Sequence, residues 1–289
     1  MTAPAATVVS YPSDETASRG TVVHIADAGD GRTAVVLDRT AFHPVDTAWP
    51  DQPADRGLIR LADGTAVPIL DAVVGATQGD DLLLGPAVPV RTGTEGWTFV
   101  VAHLVDGAPV AEGDTVDVEV DAAHRAALSA GHTACHLASL ALDAALADAW
   151  RKEVQADALG APAFDALAIQ ESRIIPHGSR DVYRVGKSLR RRGFDPAAFD
   201  DPAALAARVD AQLAEWIRAG GAVRIERDGD ELAARRAWVC DVDGTEARIP
   251  CGGTHVSSLS ELATATVSFE VAPADGGLEV VMTTTATAA

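Results

Sequence analysis

Residues 121–150 read DAAHRAALSAGHTACHLASLALDAALADAW. Leu128, His132, Cys135, Leu140, Leu142, Leu146 and Trp150 recur at helical spacing, and Gly131 is the only glycine in the stretch. The pattern predicts one long helix. Upstream, from Thr7 to about Val120, the character is different. Short β-branched runs at 20–25, 34–38, 57–61, 67–74, 97–104 and 115–120 alternate with turn residues, and Pro44, Pro50, Pro53, Pro86 and Pro89 mark loops. Many short strands punctuated in this way predict a small barrel or sandwich. Downstream, 165–176 reads as a strand. Asp200-Asp201-Pro202 starts a second helix with a capping carboxylate and a first-turn proline, and Gly220-Gly221 ends it. Runs at 222–227, 246–250, 264–271 and 278–284 read as strands, the last two joined by a hairpin at 275–277. The small polar tail 283–289 is expected to fray. The fold class is therefore α+β, with a β-barrel-like domain over 1–120 and an α+β domain over 121–289.

The chain has 289 residues, 47% of them hydrophobic, which suffices for two ordinary cores. A net charge of −19 argues against a general affinity for nucleic acid and leaves no reason to expect DNA as a partner. Three cysteines make no disulfide framework in a chain of this length. The first twenty residues lack a basic start followed by an apolar core, and no run approaches the roughly 18 apolar residues of a membrane span. A cytoplasmic protein without a membrane partner is expected. The sequence does not specify its oligomeric state.

Two short motifs carry chemistry. In His132-Thr133-Ala134-Cys135-His136 the histidines are four residues apart, so on a helix both imidazoles point to one place. Cys251-Gly252-Gly253-Thr254-His255 follows a predicted strand, and its glycines allow a turn tight enough for thiolate and imidazole to converge. Together His132, His136, Cys251 and His255 make a tetrahedral N/S set suited to Zn²⁺, with bonds of ~2.0 Å to nitrogen and ~2.3 Å to sulfur. Soft ligands disfavour Mg²⁺ and Ca²⁺. Cys135 points to another face of the helix and is expected in the core, as is Cys240. Four protein ligands would close a structural shell, so a catalytic metal needs one displaceable ligand, and Cys251 is the most variable candidate. Thr133 and Thr254 flank the ligands; they can bond a substrate or a water, or only cap local backbone. Asp121 and Arg125, at i and i+4, read as a helix-end pair.

The motifs Asp121…Arg125…His132-Thr133-Ala134-Cys135-His136-Leu137 and Cys251-Gly252-Gly253-Thr254-His255-Val256 resemble those of the AlaX family of alanyl-tRNA editing proteins. Related editing domains occur in alanyl- and threonyl-tRNA synthetases. The N-terminal segments 36–44 and 52–57, with Gly113-Asp114-Thr115-Val116, extend the likeness over most of the chain except roughly 174–199. The resemblance implies an N-terminal barrel, a metal-binding editing domain, and metal-dependent hydrolysis in trans of the ester of a mischarged tRNA. It also implies that Gln52 and Asp55 face the site from a loop. Where the family carries glycines before Gln-Pro, this chain has 45–51 with Trp49. That departure makes Trp49 a candidate pocket residue. It also sets threonyl or fluorothreonyl esters beside seryl-tRNA of the alanine type as candidate substrates.

The stretch 180–194 is the one basic run. Arg184, Lys187, Arg190, Arg191 and Arg192, with Tyr183 and Phe194, suit phosphates and a stacked base at the tRNA acceptor end. The alternative is a solvated face paired with the acids of 195–201. Two further readings compete with the deacylase: a small-ester metallohydrolase without an RNA partner, and a binding module whose zinc is structural.

Overall fold

The computed structural model describes residues 4–46, 50–79, 81–107 and 109–289, and these form two compact units. One comprises Met1–Arg125, Ile225–Ala237 and Pro250–Thr254; the other comprises Ala126–Arg224, Trp238–Ile249 and His255–Ala289.

The first unit contains β1 (Val8–Val9), β2 (Ala17–Gly29), β3 (Arg32–Leu37), β4 (Arg39–Thr40), β5 (Gly57–Arg60), β6 (Ala66–Ile69), β7 (Asp71–Thr77), β8 (Leu82–Leu84), β9 (Thr98–Asp106) and β10 (Thr115–Val120). Eight of these form an antiparallel sheet in the order β6-β5-β10-β2-β3-β9-β7-β8. Only Leu70 separates β6 from β7, and its N–H donates to Leu104 O (2.8 Å). One bent stretch of chain thus pairs with β5 at its start and with β9 at its end, which closes the sheet on itself. The interior is filled by alternating residues, among them Val22, Val35, Leu37, Phe42, Ile59, Val74, Phe99, Val101 and Val118. Interior positions within a strand are two residues apart, as on one face of a pleated strand.

The helix follows immediately as α1 (Ala122–Ala145), with a 3-10 turn at Ala147–Ala149. Gly131 has a packing reason. A Cβ there would lie 2.5 Å from Ile175 O and 2.6 Å from Gly178 N, so α1 rests directly on backbone. After α1 come α2 (Phe164–Ala168), β11 (Ile169–Ile175), β12 (Gly178–Val185), α3 (Lys187–Arg191), α4 (Pro202–Ala219), β13 (Val223–Arg227), β14 (Arg236–Val242), β15 (Thr245–Pro250), β16 (Leu262–Ala274) and β17 (Gly277–Ala288). The sheets run β11-β12-β17-β16 and β13-β14-β15. Asp201 caps α4 by accepting from Ala204 N (3.0 Å), and Gly220 ends it at φ 71°.

The structure corrects two expectations. Residues 164–168 are helical and the strand begins only at Ile169; Asp165 N–H donates to the Asp143 carboxylate (2.7 Å) within that helical turn. The tail does not fray. Met282, Thr284 and Ala286 alternate inward and are buried as β17 pairs along β16 to Ala288.

Asp143 supplies a stability prediction. Burial, reinforced by the neighbouring Asp165 and Asp157 charges, pushes its carboxyl up to about 9 against the opposing pull of backbone N–H donors. A carboxyl raised on folding binds its proton more tightly in the native state. Its contribution is therefore fully present below the unfolded value of about 4 and is lost as pH rises towards 9. Asp143→Asn keeps an oxygen for Asp165 N–H and removes the titration. Its melting temperature should gain on the parent steadily between pH 5 and 9, as calorimetry would show. A constant difference across that range would mean the group does not titrate there.

Candidate metal centre

The His132 and His136 rings lie 4.8 Å apart between centroids, as i and i+4 positions on α1 dictate. The His255 ring is 4.3 Å from His132 and 5.1 Å from His136, stacked on the latter at 22°. Ligand atoms of His132, His136, Cys251 and His255 all lie within 4.8 Å of one another. A tetrahedral shell with Zn-type bond lengths has edges of roughly 3.3–3.6 Å, so small side-chain rotations close it. The sharpest test of fit is His136. Its Nε2 is buried and has no hydrogen-bond partner, an arrangement that is costly unless a cation takes the lone pair. Three imidazoles and a thiol are also the donor set of a borderline-soft ion. The four residues can hold a metal ion.

Protonation follows from burial. The His136 imidazole is pushed down to about 4 by desolvation, which keeps it neutral and able to ligate. Desolvation also pushes the Cys251 thiol up to about 12, with the nearby Asp51 charge adding to the rise and the Gly253 N–H opposing it. A cation held there would take Cys251 as the thiolate.

Thr133, fully buried, sits between the two motifs. Its Oγ1 is 3.2 Å from His255 Nδ1 and accepts from Val256 N–H (3.2 Å). A bond to Nδ1 fixes ring orientation and would present Nε2 to a bound ion, the usual work of an outer partner. Thr254 is held twice by Gln52: Gln52 Nε2 donates to Thr254 Oγ1 and Thr254 N donates to Gln52 Oε1, both at 3.0 Å. Asp55 is buried, with both carboxylate oxygens bonded to Arg125. The pairing expected between Asp121 and Arg125 is not made by their side chains. Asp121 caps His124 N–H (3.0 Å), while the Arg125 guanidinium turns to Asp55. Trp49 lies outside the described residues. Cys135 is buried and its thiol faces Asp181 (3.6 Å); Cys240 is buried too.

In the basic run, Lys187, Arg190, Arg191 and Arg192 are exposed and Arg184 is half-buried. The aromatics are not available for stacking. Tyr183 is buried with its hydroxyl donating to Asp165 (2.9 Å), and Phe194 packs on Phe164 and Trp150. Asp195 pairs with Arg151 (2.5 Å). Arg190 donates to Gly276 O (2.8 Å).

Sequence reasoning missed Trp238, whose ring lies 5.0 Å from that of His136 and forms a wall of the cluster. The unbroken apolar run Ala237–Cys240, ended by Asp241, was the available signal.

No family model matches the chain. It is similar to alanine–tRNA ligases: 30% identical to that of Frankia alni over 246 residues, covering 84% of this chain and 23% of the ligase. It is 29% identical to that of Pyrobaculum neutrophilum over 264 residues, covering 88% and 24%. The similarity to the Ruegeria pomeroyi ligase is 31% over 171 residues, or 56% of this chain. The chain thus spans about a quarter of the length of the first two curated relatives. Among the described residues no helix is long and apolar enough to cross a membrane.

Proposed function

We propose that this chain is a zinc-dependent aminoacyl-tRNA deacylase that hydrolyses the ester of mischarged tRNA. The observation carrying the proposal is the four-ligand cluster with the buried, unpartnered His136 Nε2, in a chain similar over most of its length to alanine–tRNA ligases. Zinc fits the two kinds of donor and, when bound, supplies a Lewis acid.

The chain's own residues supply the remainder. His132, His136, Cys251 and His255 would hold the ion. Thr133 orients His255, and Gln52 fixes Thr254 beside the ligands. Thr254 is the side chain we assign to the reacting ester, where a fixed hydroxyl meets charge that develops on the acyl group. Thr133, bonded to a ligand, is a positioning residue. Lys187, Arg191 and Arg192 take phosphates of the acceptor end. Seryl- and threonyl-type esters are the substrates to compare.

The test is release of amino acid from one tRNA charged in turn with serine, glycine, alanine, threonine and fluorothreonine. It is run with untreated protein, after chelation, and after adding zinc back. At least one mismatched ester should be cleaved, chelation should abolish cleavage, and zinc should restore it. No release above the buffer rate in the zinc-loaded protein would sink the proposal. A net charge of −19 favours a second reading, hydrolysis of small aminoacyl esters without RNA. Activity on such esters with no competition by tRNA would favour it.

A further inference from the structure

Arg125 and Asp55 are 1% and 4% exposed, so both charges of this pair are out of water. Arg125 stands in the first turn of α1. Its Nε donates to Asp55 Oδ1 (2.6 Å), and its Nη2 donates to Asp55 Oδ2 and to Ala41 O (2.8 Å). Asp55 Oδ2 also accepts from His43 N–H (2.6 Å), and Asp55 N–H returns a bond to His43 O (3.0 Å). One guanidinium therefore grips both ends of the 41–55 segment and closes it at the neck. That segment carries Gln52, whose side-chain amide meets both polar groups of Thr254.

Stability alone does not account for such a pair. Desolvating two ions offsets most of their attraction, and apolar residues of similar volume often do as well or better. What an apolar pair lacks is direction. A forked, bidentate bond fixes angle as well as distance, whereas hydrophobic contact does not.

We propose that the Arg125–Asp55 clasp is a positioning device: it sets the neck of the 41–55 segment so that Gln52 holds Thr254, and with it the turn that carries Cys251. The proposal deepens the deacylase reading and rests on it for its catalytic consequence. Neither residue touches substrate. Asp55, expected from the family likeness to face the site, acts through Gln52.

Three chains test it: the apolar exchange Arg125→Met with Asp55→Leu, the single change Gln52→Ala, and all three together. The apolar exchange should melt within a few degrees of the parent. Its kcat for ester release should fall about tenfold to a hundredfold, the scale of a small misplacement near reacting groups, while KM for tRNA stays nearly unchanged. Gln52→Ala should give a similar loss, and the combination little more than either alone, because the clasp acts through Gln52. With cobalt(II) in place of zinc, the thiolate-to-metal absorption band of Cys251 should shift in the apolar exchange and in Gln52→Ala, and no further in the combination. Additive losses, or an apolar exchange with full kcat and an unshifted band, overturn the proposal. If the exchange fails to fold, Asp55→Asn replaces it in the same cycle. A parent that cleaves no tRNA ester sinks the deacylase reading, and the cobalt bands then decide the positioning role by themselves.

Discussion

Replacing His136 with Ala is expected to remove metal binding, and with it ester hydrolysis, while leaving the metal-free fold nearly as stable as before. The expectation follows from what His136 does without a cation. Its Nε2 is buried and unpartnered, so in the metal-free protein the ring contributes packing against Trp238 and a desolvation penalty of opposite sign. With a cation the same atom becomes a ligand. Loss of an outer partner of a ligand already lowers affinity about 10–100-fold, so loss of a ligand should exceed that. Elemental analysis and thermal melts with and without zinc are the measurements. The parent should melt at a higher temperature as free zinc rises, because an ion that binds only the native state stabilises it. The variant should show no such rise. Cys135→Ala, one position away, is the control. Its thiol turns from the cluster towards Asp181, whose oxygens keep their bonds from Ser172 (2.6 Å) and Ser179 (2.7 Å). It should take up metal like the parent. Equimolar zinc in the His136 variant, with the same melting shift, would refute the assignment.

The contrast between His136 and Cys135 also shows why some of the site could be read from sequence. Helical geometry is local, so two histidines four apart converge whatever surrounds them, and the glycines of Cys251–His255 announce a tight turn on their own. The strands of the first unit were legible for the same reason, because β-branched runs and the turn residues between them are neighbours in the chain. What escaped is non-local. The Arg125–Asp55 clasp joins residues 70 apart and the Gln52–Thr254 bonds join residues 202 apart, so no spacing rule connects them. Arg125 instead suggested a local partner at i−4, which the structure gives to helix capping. Strand β12 was hidden by its charges. Asp181 reads as a solvent position, yet it is 2% exposed, held by two serine hydroxyls and a thiol. The threonine-rich tail looked polar enough to fray because a buried threonine, such as Thr284, is indistinguishable in sequence from an exposed one.

Replacing Arg190, Arg191 and Arg192 together with Ala is expected to weaken tRNA binding and flatten its salt dependence. Three lost phosphate contacts would change the slope of log affinity against log salt by about 2–3, since each contributes roughly 0.7–0.9. The structure lowers that figure. Arg190 donates to Gly276 O, on the turn between β16 and β17, so its guanidinium is already engaged. Two effective contacts, Arg191 and Arg192, give a slope change of about 1.4–1.8. Across a fourfold change in salt, that makes the parent's affinity fall about tenfold more than the variant's. Because Tyr183 and Phe194 are buried, no stacking partner is lost with the arginines, and the deficit should be purely electrostatic. It should therefore appear in KM for charged tRNA at low salt and shrink as salt rises, with kcat unchanged. A small aminoacyl ester, which carries no phosphates, should be cleaved at the parental rate. Equal loss on both substrates would instead show that the run supports the fold: Lys152 donates to Arg191 O (3.0 Å), and Gly193 holds a left-handed turn against Lys152, so this corner of the second unit has structure to lose. Arg190→Ala alone separates the two outcomes. If the engaged guanidinium is structural, that single change should lower the melting temperature while leaving the salt slope of the parent intact.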